Sequence, residues 1–155
     1  PDLATLLLPC SDSAGQSLDG VIRPAVQWIR RARDGGGRVL VHCVMGASRS
    51  AAVALACVSA FAGVSVDEAL ELVRLARPTA APNQGFLLQL RSEPGLPALL
   101  GPEPFPVSPQ DQEYASRTLA QARQRRQRIT AAKFMSQKSS QLMDNNAHDN
   151  RSRDK

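Results

Sequence analysis

The run Val41-His42-Cys43-Val44-Met45-Gly46-Ala47-Ser48-Arg49-Ser50 constrains this chain more than any other segment, because it places a cysteine and an arginine six positions apart between a strand-like and a helix-like stretch. Upstream, the β-branched run Arg38-Val39-Leu40-Val41 follows the punctuation Asp34-Gly35-Gly36-Gly37, which predicts a buried strand delivering Cys43 to its end. Downstream, Ser50 to Ala62 is rich in alanine and free of proline and glycine until Gly63, which predicts a helix. The residues between Cys43 and Arg49 therefore curl at a helix N-terminus, where unpaired N–H groups and the positive end of the helix dipole face an anion. Gly46 supplies the permitted turn.

That setting decides the chemistry of Cys43. A thiol at a helix N-terminus beside a guanidinium has its pKa lowered from about 8.5 toward ~3.5–7.5, which makes it a nucleophile without a separate base. Arg49 offers a planar fork that can hold two phosphoryl oxygens. The backbone of Val44, Met45, Gly46, Ala47 and Ser48 completes a phosphate-binding loop, and Ser50 is placed to donate a hydrogen bond to the sulfur. His42 is read as an orienting hydrogen-bond partner rather than a base. The bland alternative for Cys43, a small buried core residue, fits the loop context poorly.

The string Val-His-Cys-x-x-Gly-x-Ser-Arg-Ser resembles the signature of the protein tyrosine phosphatase superfamily, and its dual-specificity branch in particular. Cys-x5-Arg alone is shared with rhodanese-type domains, low-molecular-weight phosphatases and arsenate reductases; the preceding Val-His and the following Ser narrow the match. The resemblance covers Leu3 to Leu90. Asp12, with Leu18 in the spacing Asp-x5-Leu, resembles the family's general-acid loop, which implies that Asp12 protonates the leaving oxygen, a role typically worth about 10²–10⁴ in rate. Read without the family, Asp12 is a turn residue in Ser11-Asp12-Ser13-Ala14-Gly15, and Asp19 is the fallback acid. Arg77-Pro78 followed by Pro82-Asn83-Gln84-Gly85-Phe86 resembles the segment whose asparagine buttresses the phosphate loop; otherwise Asn83 is a turn residue.

The resemblance implies an α/β fold, a phosphatase-like and mainly parallel sheet flanked by helices. It implies two-step hydrolysis through a phosphocysteine, with no cofactor and no metal, acting on phosphotyrosine together with phosphoserine or phosphothreonine. Val44, Met45 and Ala47 are uncharged, which favours a phosphoprotein substrate over inositol polyphosphates. The strands and helix that precede the acid loop in the family have no counterpart here. The expectation is an N-terminally truncated domain with an exposed sheet edge and a core that buries little surface. A noncatalytic phosphosite-binding module or an inactive fragment is the rival reading; a rhodanese-like sulfur transferase fits the Ser48-Arg49-Ser50 context less well.

The remaining segments supply scaffold. Thr5-Leu6-Leu7-Leu8 is a strand-like run ending at Pro9. Leu18, Val21, Ile22, Ala25, Val26 and Ile29 recur at helical spacing; at Pro24 the helix either starts or bends. Ser65-Val66-Asp67-Glu68 is a capping-box pattern, followed by an apolar stripe from Ala69 to Ala76. A further helix begins near Asn83, runs through Leu90, and is broken by Pro94, Gly95 and Pro97.

Three parts follow: a partial catalytic domain (1–100), an extended proline-rich linker (101–110) and a basic tail (111–155) that is helical to about Lys138 and disordered from Ser136 onward. Residues 1–110 carry nine basic and nine acidic side chains, so the whole net charge of +5 belongs to the tail. Its Arg123, Arg125, Arg126 and Arg128 could address the chain to the nucleus, touch nucleic acid or an acidic membrane surface, or form a solvated helix face. Cys10 and Cys57 read as structural, with a regulatory disulfide from either to Cys43 left open. Three cysteines without paired spacing, one of them a thiolate, call for the cytosol or nucleus. The longest apolar stretch, Ala51 to Val64, is too short to span a membrane.

Overall fold

A computed structural model describes residues 3–92, 94–102 and 105–153, and divides the chain into two units, Pro1–Ser116 and Arg117–Lys155. Six helices follow one another: α1 (Ile22–Asp34), α2 (Arg49–Ala62), α3 (Val66–Ala76), α4 (Gln84–Arg91), α5 (Gly95–Leu100) and α6 (Pro109–Arg153).

The core of the first unit forms around α2. Its small residues, Ala51, Ala52, Ala56 and Ala60, let neighbours approach from all sides, and the helix is buried round nearly its whole circumference. α1 lays Ile22, Ala25, Val26 and Ile29 against it. Pro24 falls in the first turn of α1, where its missing N–H breaks no helical bond, so the helix starts rather than bends there. α2 ends at Gly63 in the left-handed conformation, with φ +63°. α3 opens with the full capping box: Ser65 Oγ accepts from the Glu68 N–H and the Glu68 carboxylate accepts from the Ser65 N–H. α4 is capped by Asn83 and stops at Ser92; beyond the break at Pro94 the chain turns once more as α5, which the proline and glycine spacing did not foretell.

The expected strands are the main difference. Among the described residues no strand forms, and Thr5–Leu8 and Arg38–Val41 run without a ladder. A strand exists only when a neighbouring backbone takes up its N–H and C=O groups. The side chains nevertheless alternate as a strand's would. Val39, Val41, Leu8 and Cys10 pack on the helical core, while Leu40 and Leu7 are 84% and 85% exposed.

The proline-rich segment expected to be a linker is docked instead. Ser108 N–H donates to the Phe61 carbonyl, Phe105 packs on the core, and Arg33 Nη2 lies 2.9 and 2.8 Å from the two carboxylate oxygens of Asp111. Proline fixes these residues as extended, and an extended strip with apolar Phe105 and Val107 can lie along the α1–α2 surface. The expected disorder from Ser136 onward also differs, because α6 runs on to Arg153. No proline or glycine follows Pro109, so the sequence contains no breaker to stop it; Asp154 and Lys155 lie outside the described residues. Among the described residues no single helix is long and apolar enough to cross a membrane.

Candidate active site

Cys43 stands at the end of the extended segment 38–43, and α2 begins six residues later at Arg49. Between them the loop turns at Gly46, with φ +66°, and the Arg77 guanidinium covers that glycine so closely that an added Cβ would lie 3.1 Å from Nη2. The left-handed turn favours glycine, whereas the Arg77 side-chain end could give way by the few tenths of an ångström that a Cβ would need. Arg77 thus sits at the loop, a position its place in the Arg-Pro segment hinted at without giving it a role.

The loop acts on the thiol. Burial alone would raise the Cys43 pKa, but hydrogen bonds from the Ser50 hydroxyl and from the amides of Ser50, Gly46 and Met45 outweigh it and bring it down from 9.0 to about 7. Ser50 Oγ lies 3.3 Å from Cys43 Sγ. By contrast, burial within α2 pushes the Cys57 thiol up to about 12, and burial also raises Cys10 despite the nearby Arg49. All three thiols are free.

Asp12 is brought to the loop and Asp19 is not. Asp19 accepts from Ser17 in its own turn, whereas Asp12 Oδ1 accepts from Ser48 Oγ at 2.5 Å and from Asn83 Nδ2 at 2.9 Å. These two hydrogen bonds, Ser48 first, hold the Asp12 carboxyl below its ordinary range, with Arg49 adding in the same direction. The approach depends on Gly85, where a Cβ would come within 1.9 Å of the Ala14 carbonyl. The loop is also tied to the Asn83 segment by the Ala81 N–H donating to the Ala47 carbonyl at 2.8 Å.

Arg49 has its Nε 3.9 Å from Asp12 Oδ2, too far for a hydrogen bond, and its Nη1 3.5 Å from the Cys10 carbonyl. Nε is buried with no hydrogen-bond partner. A buried guanidinium N–H left without an acceptor is a place prepared for an anion.

His42 departs from its expected role. Its side chain is exposed, and no hydrogen bond from it to a described residue orients Cys43. The alternation along 39–43 explains why: successive residues of an extended segment point to opposite faces, so His42 and Cys43 cannot share one. Among the described residues no group of three His, Cys, Asp or Glu side chains could hold a metal ion.

Residues 2–93 match the family model described as dual specificity phosphatase, catalytic domain. Dual specificity phosphatase 28 of Mus musculus is 40% identical over 91 residues, which are 59% of this chain and 56% of that protein. Dual specificity protein phosphatase 16 of Homo sapiens is 39% identical over 90 residues, 58% of this chain and 14% of that protein. Among solved structures, the crystal structure of human DUSP28 superposes with TM-score 0.51 at 38% identity, covering 53% of this chain and 55% of that one. The crystal structure of DUSP15 gives 0.57 at 27% identity, covering 72% and 65%. The chain thus spans less than two thirds of the length of each of these relatives.

Proposed function

The chain belongs to the dual-specificity phosphatase catalytic-domain family, and from that premise we propose that it is a protein phosphatase that hydrolyses phosphotyrosine and phosphoserine or phosphothreonine through a phosphocysteine. The observation that carries the proposal is the pairing of a thiol brought down to about 7 with an Arg49 Nε that is buried without a hydrogen-bond partner at the start of the following helix.

In the first step the Cys43 thiolate attacks phosphorus, an S–P bond forms and the P–O bond to the leaving group breaks. Arg49 and the loop amides hold the equatorial oxygens, and Asp12 gives its proton to the departing oxygen. In the second step water attacks phosphorus, the S–P bond breaks, and Asp12 takes up the water's proton. Ser50, 3.3 Å from the sulfur, stabilises the thiolate as it leaves.

Val44 and Met45 stand 81% and 77% exposed in the loop that follows Cys43. An uncharged, apolar rim of this kind suits a phosphorylated side chain on a protein surface better than a ligand carrying several phosphates. The alternation of Val39 and Val41 inward against Leu40 outward is the pattern of a strand, so Arg38–Val41 and Thr5–Leu8 are the segments that would take up strand pairing if a neighbouring backbone completed a ladder. Three free thiols, one of them reactive, favour a reducing compartment, the cytosol or nucleus.

The test is metal-free hydrolysis of a fluorogenic aryl phosphate by the chain and its Cys43→Ser and Asp12→Asn variants. Turnover abolished by the first change and lowered about 10²-fold or more by the second is expected. A folded chain that binds a phosphopeptide without turning it over would replace this proposal with a binding module, and sulfur transfer from thiosulfate to cyanide would replace it with a sulfur transferase.

A further inference from the structure

Ser48 occupies the N-cap of α2, a position where a serine hydroxyl ordinarily accepts a hydrogen bond from the first turn of its helix. Here it makes no such bond. Its oxygen instead accepts from the Asn83 N–H at 3.0 Å, which leaves the hydroxyl proton aimed at Asp12 Oδ1, 2.5 Å away. Asn83 is fixed from both ends of its amide. Its Oδ1 caps α4 by accepting from the Phe86 N–H at 3.0 Å, so its Nδ2 is the end that donates to the same Asp12 oxygen. Two donors from two helix starts therefore grip Oδ1, while Oδ2 is the oxygen turned toward Arg49.

We infer that Ser48 and Asn83 are positioning residues that clamp one oxygen of Asp12, so that the other, Oδ2, is the atom that carries the acid proton to the leaving group. This rests on the general-acid role proposed above for Asp12. The charged and titratable groups facing the carboxyl are Arg49 and the Cys10 thiol, with Cys43 next to Cys10. A dianionic phosphate bound by the loop adds negative charge beside Asp12 and favours its protonation. The clamp keeps both donors on Oδ1 in either protonation state, because a protonated carboxyl still offers that oxygen as an acceptor.

The clamp is tested on the full chain by following the Asp12 side-chain carboxyl carbon by NMR through a pH titration. Ser48→Ala and Asn83→Ser each remove one donor to Asp12 without adding a charge, and the second keeps a side-chain oxygen at the α4 N-cap, so a chain that folds is available if the first fails. Both are expected to move the Asp12 titration upward, and Ser48→Thr to restore it. An Asp12 titration unchanged in both variants would overturn the inference, whether or not the chain turns over. In catalysis, Ser48→Ala is expected to lower kcat roughly tenfold on an alkyl phosphate, part of the ~10²–10⁴ of a full general acid, and to change little on an aryl phosphate with a good leaving group. In an Asp12→Asn background it should lower neither further. Equal losses on both substrates would overturn the positioning role, whereas absence of any Cys43-dependent turnover would refute the phosphatase proposal and leave the titration to decide the clamp.

Discussion

Cys43 Sγ and Ser50 Oγ lie 3.3 Å apart across the loop that joins them, one at the end of the extended segment and the other in the first turn of α2. The hydroxyl is the largest of the influences that lower the thiol's pKa. Ser50→Ala removes it and leaves the backbone donors, so the Cys43 pKa should rise from about 7 back toward 9.0. The sign is fixed: at neutral pH the thiolate fraction falls. The pH profile of iodoacetamide alkylation should shift upward, with a several-fold slower rate at pH 7; an unchanged profile would mean that the amides alone hold the thiolate.

The three cysteines should differ sharply in labelling. Cys57 is raised to about 12 by burial and Cys10 is raised too, so at pH 7 only Cys43 carries an appreciable thiolate fraction. Brief alkylation followed by peptide mapping should modify Cys43 and spare the others. Inorganic phosphate should protect it, because the bound anion fills the loop in front of the sulfur.

Arg49→Lys keeps the positive charge and loses the fork. The guanidinium reaches toward the loop with a buried Nε that has no hydrogen-bond partner, a geometry that an ammonium cannot reproduce with two parallel donors. kcat on an aryl phosphate should fall on the order of 10²–10³-fold, the loss typical of removing an oxyanion donor, with the fold intact by circular dichroism.

The loop from Val41 to Ser50 was legible because its geometry is local: a cysteine, a turn glycine and a helix start follow one another along a short stretch of chain. Helices α1 to α4 were legible for the same reason, down to the Ser65 capping box, whereas α5 and the full length of α6 were not. What escaped was set by distant partners. A strand is completed by a neighbouring backbone, so Arg38–Val41 kept its side-chain alternation without its ladder. The docking of Phe105 to Asp111 depends on Arg33 and Phe61, far away in the chain. Ser48 read as one loop residue among several, because its bond to Asp12 spans 36 positions and no spacing rule reaches that far. His42 misled through adjacency: a neighbour in sequence along an extended segment faces the opposite way.

Gly85 offers a test of how the acid loop is seated. A Cβ there would lie 1.9 Å from the Ala14 carbonyl, and the obstacle is backbone, which cannot swing aside as a side chain would. Gly85→Ala should destabilise by at least ~1–3 kcal/mol, as overpacking does, and push the 12–15 turn away from Asn83. Thermal unfolding should show the lower midpoint. Turnover should fall more on poor leaving groups than on good ones, since Asp12 is what moves.

The proline-rich segment should prove part of the folded unit rather than a spacer. Phe105 packs on the core beneath the Arg30 guanidinium, 5.8 Å from the ring centre, and the neighbouring Ser108 N–H reaches the Phe61 carbonyl. The Arg33 guanidinium lies over the Phe61 ring at 4.9 Å while bonding Asp111, so one side chain joins α1, α2 and the start of α6. The ion pair alone is half exposed and worth little, roughly 0–1 kcal/mol. The larger contribution is apolar, since Phe105 is partly buried and its removal opens the α1–α2 surface to water. Phe105→Ala should therefore destabilise by about 1–2 kcal/mol, more than Asp111→Ala, as read from urea midpoints at equal slope. If the two variants changed stability equally, or neither changed it, the segment would be a tether lying loosely on the surface, and its prolines would act only to keep it extended.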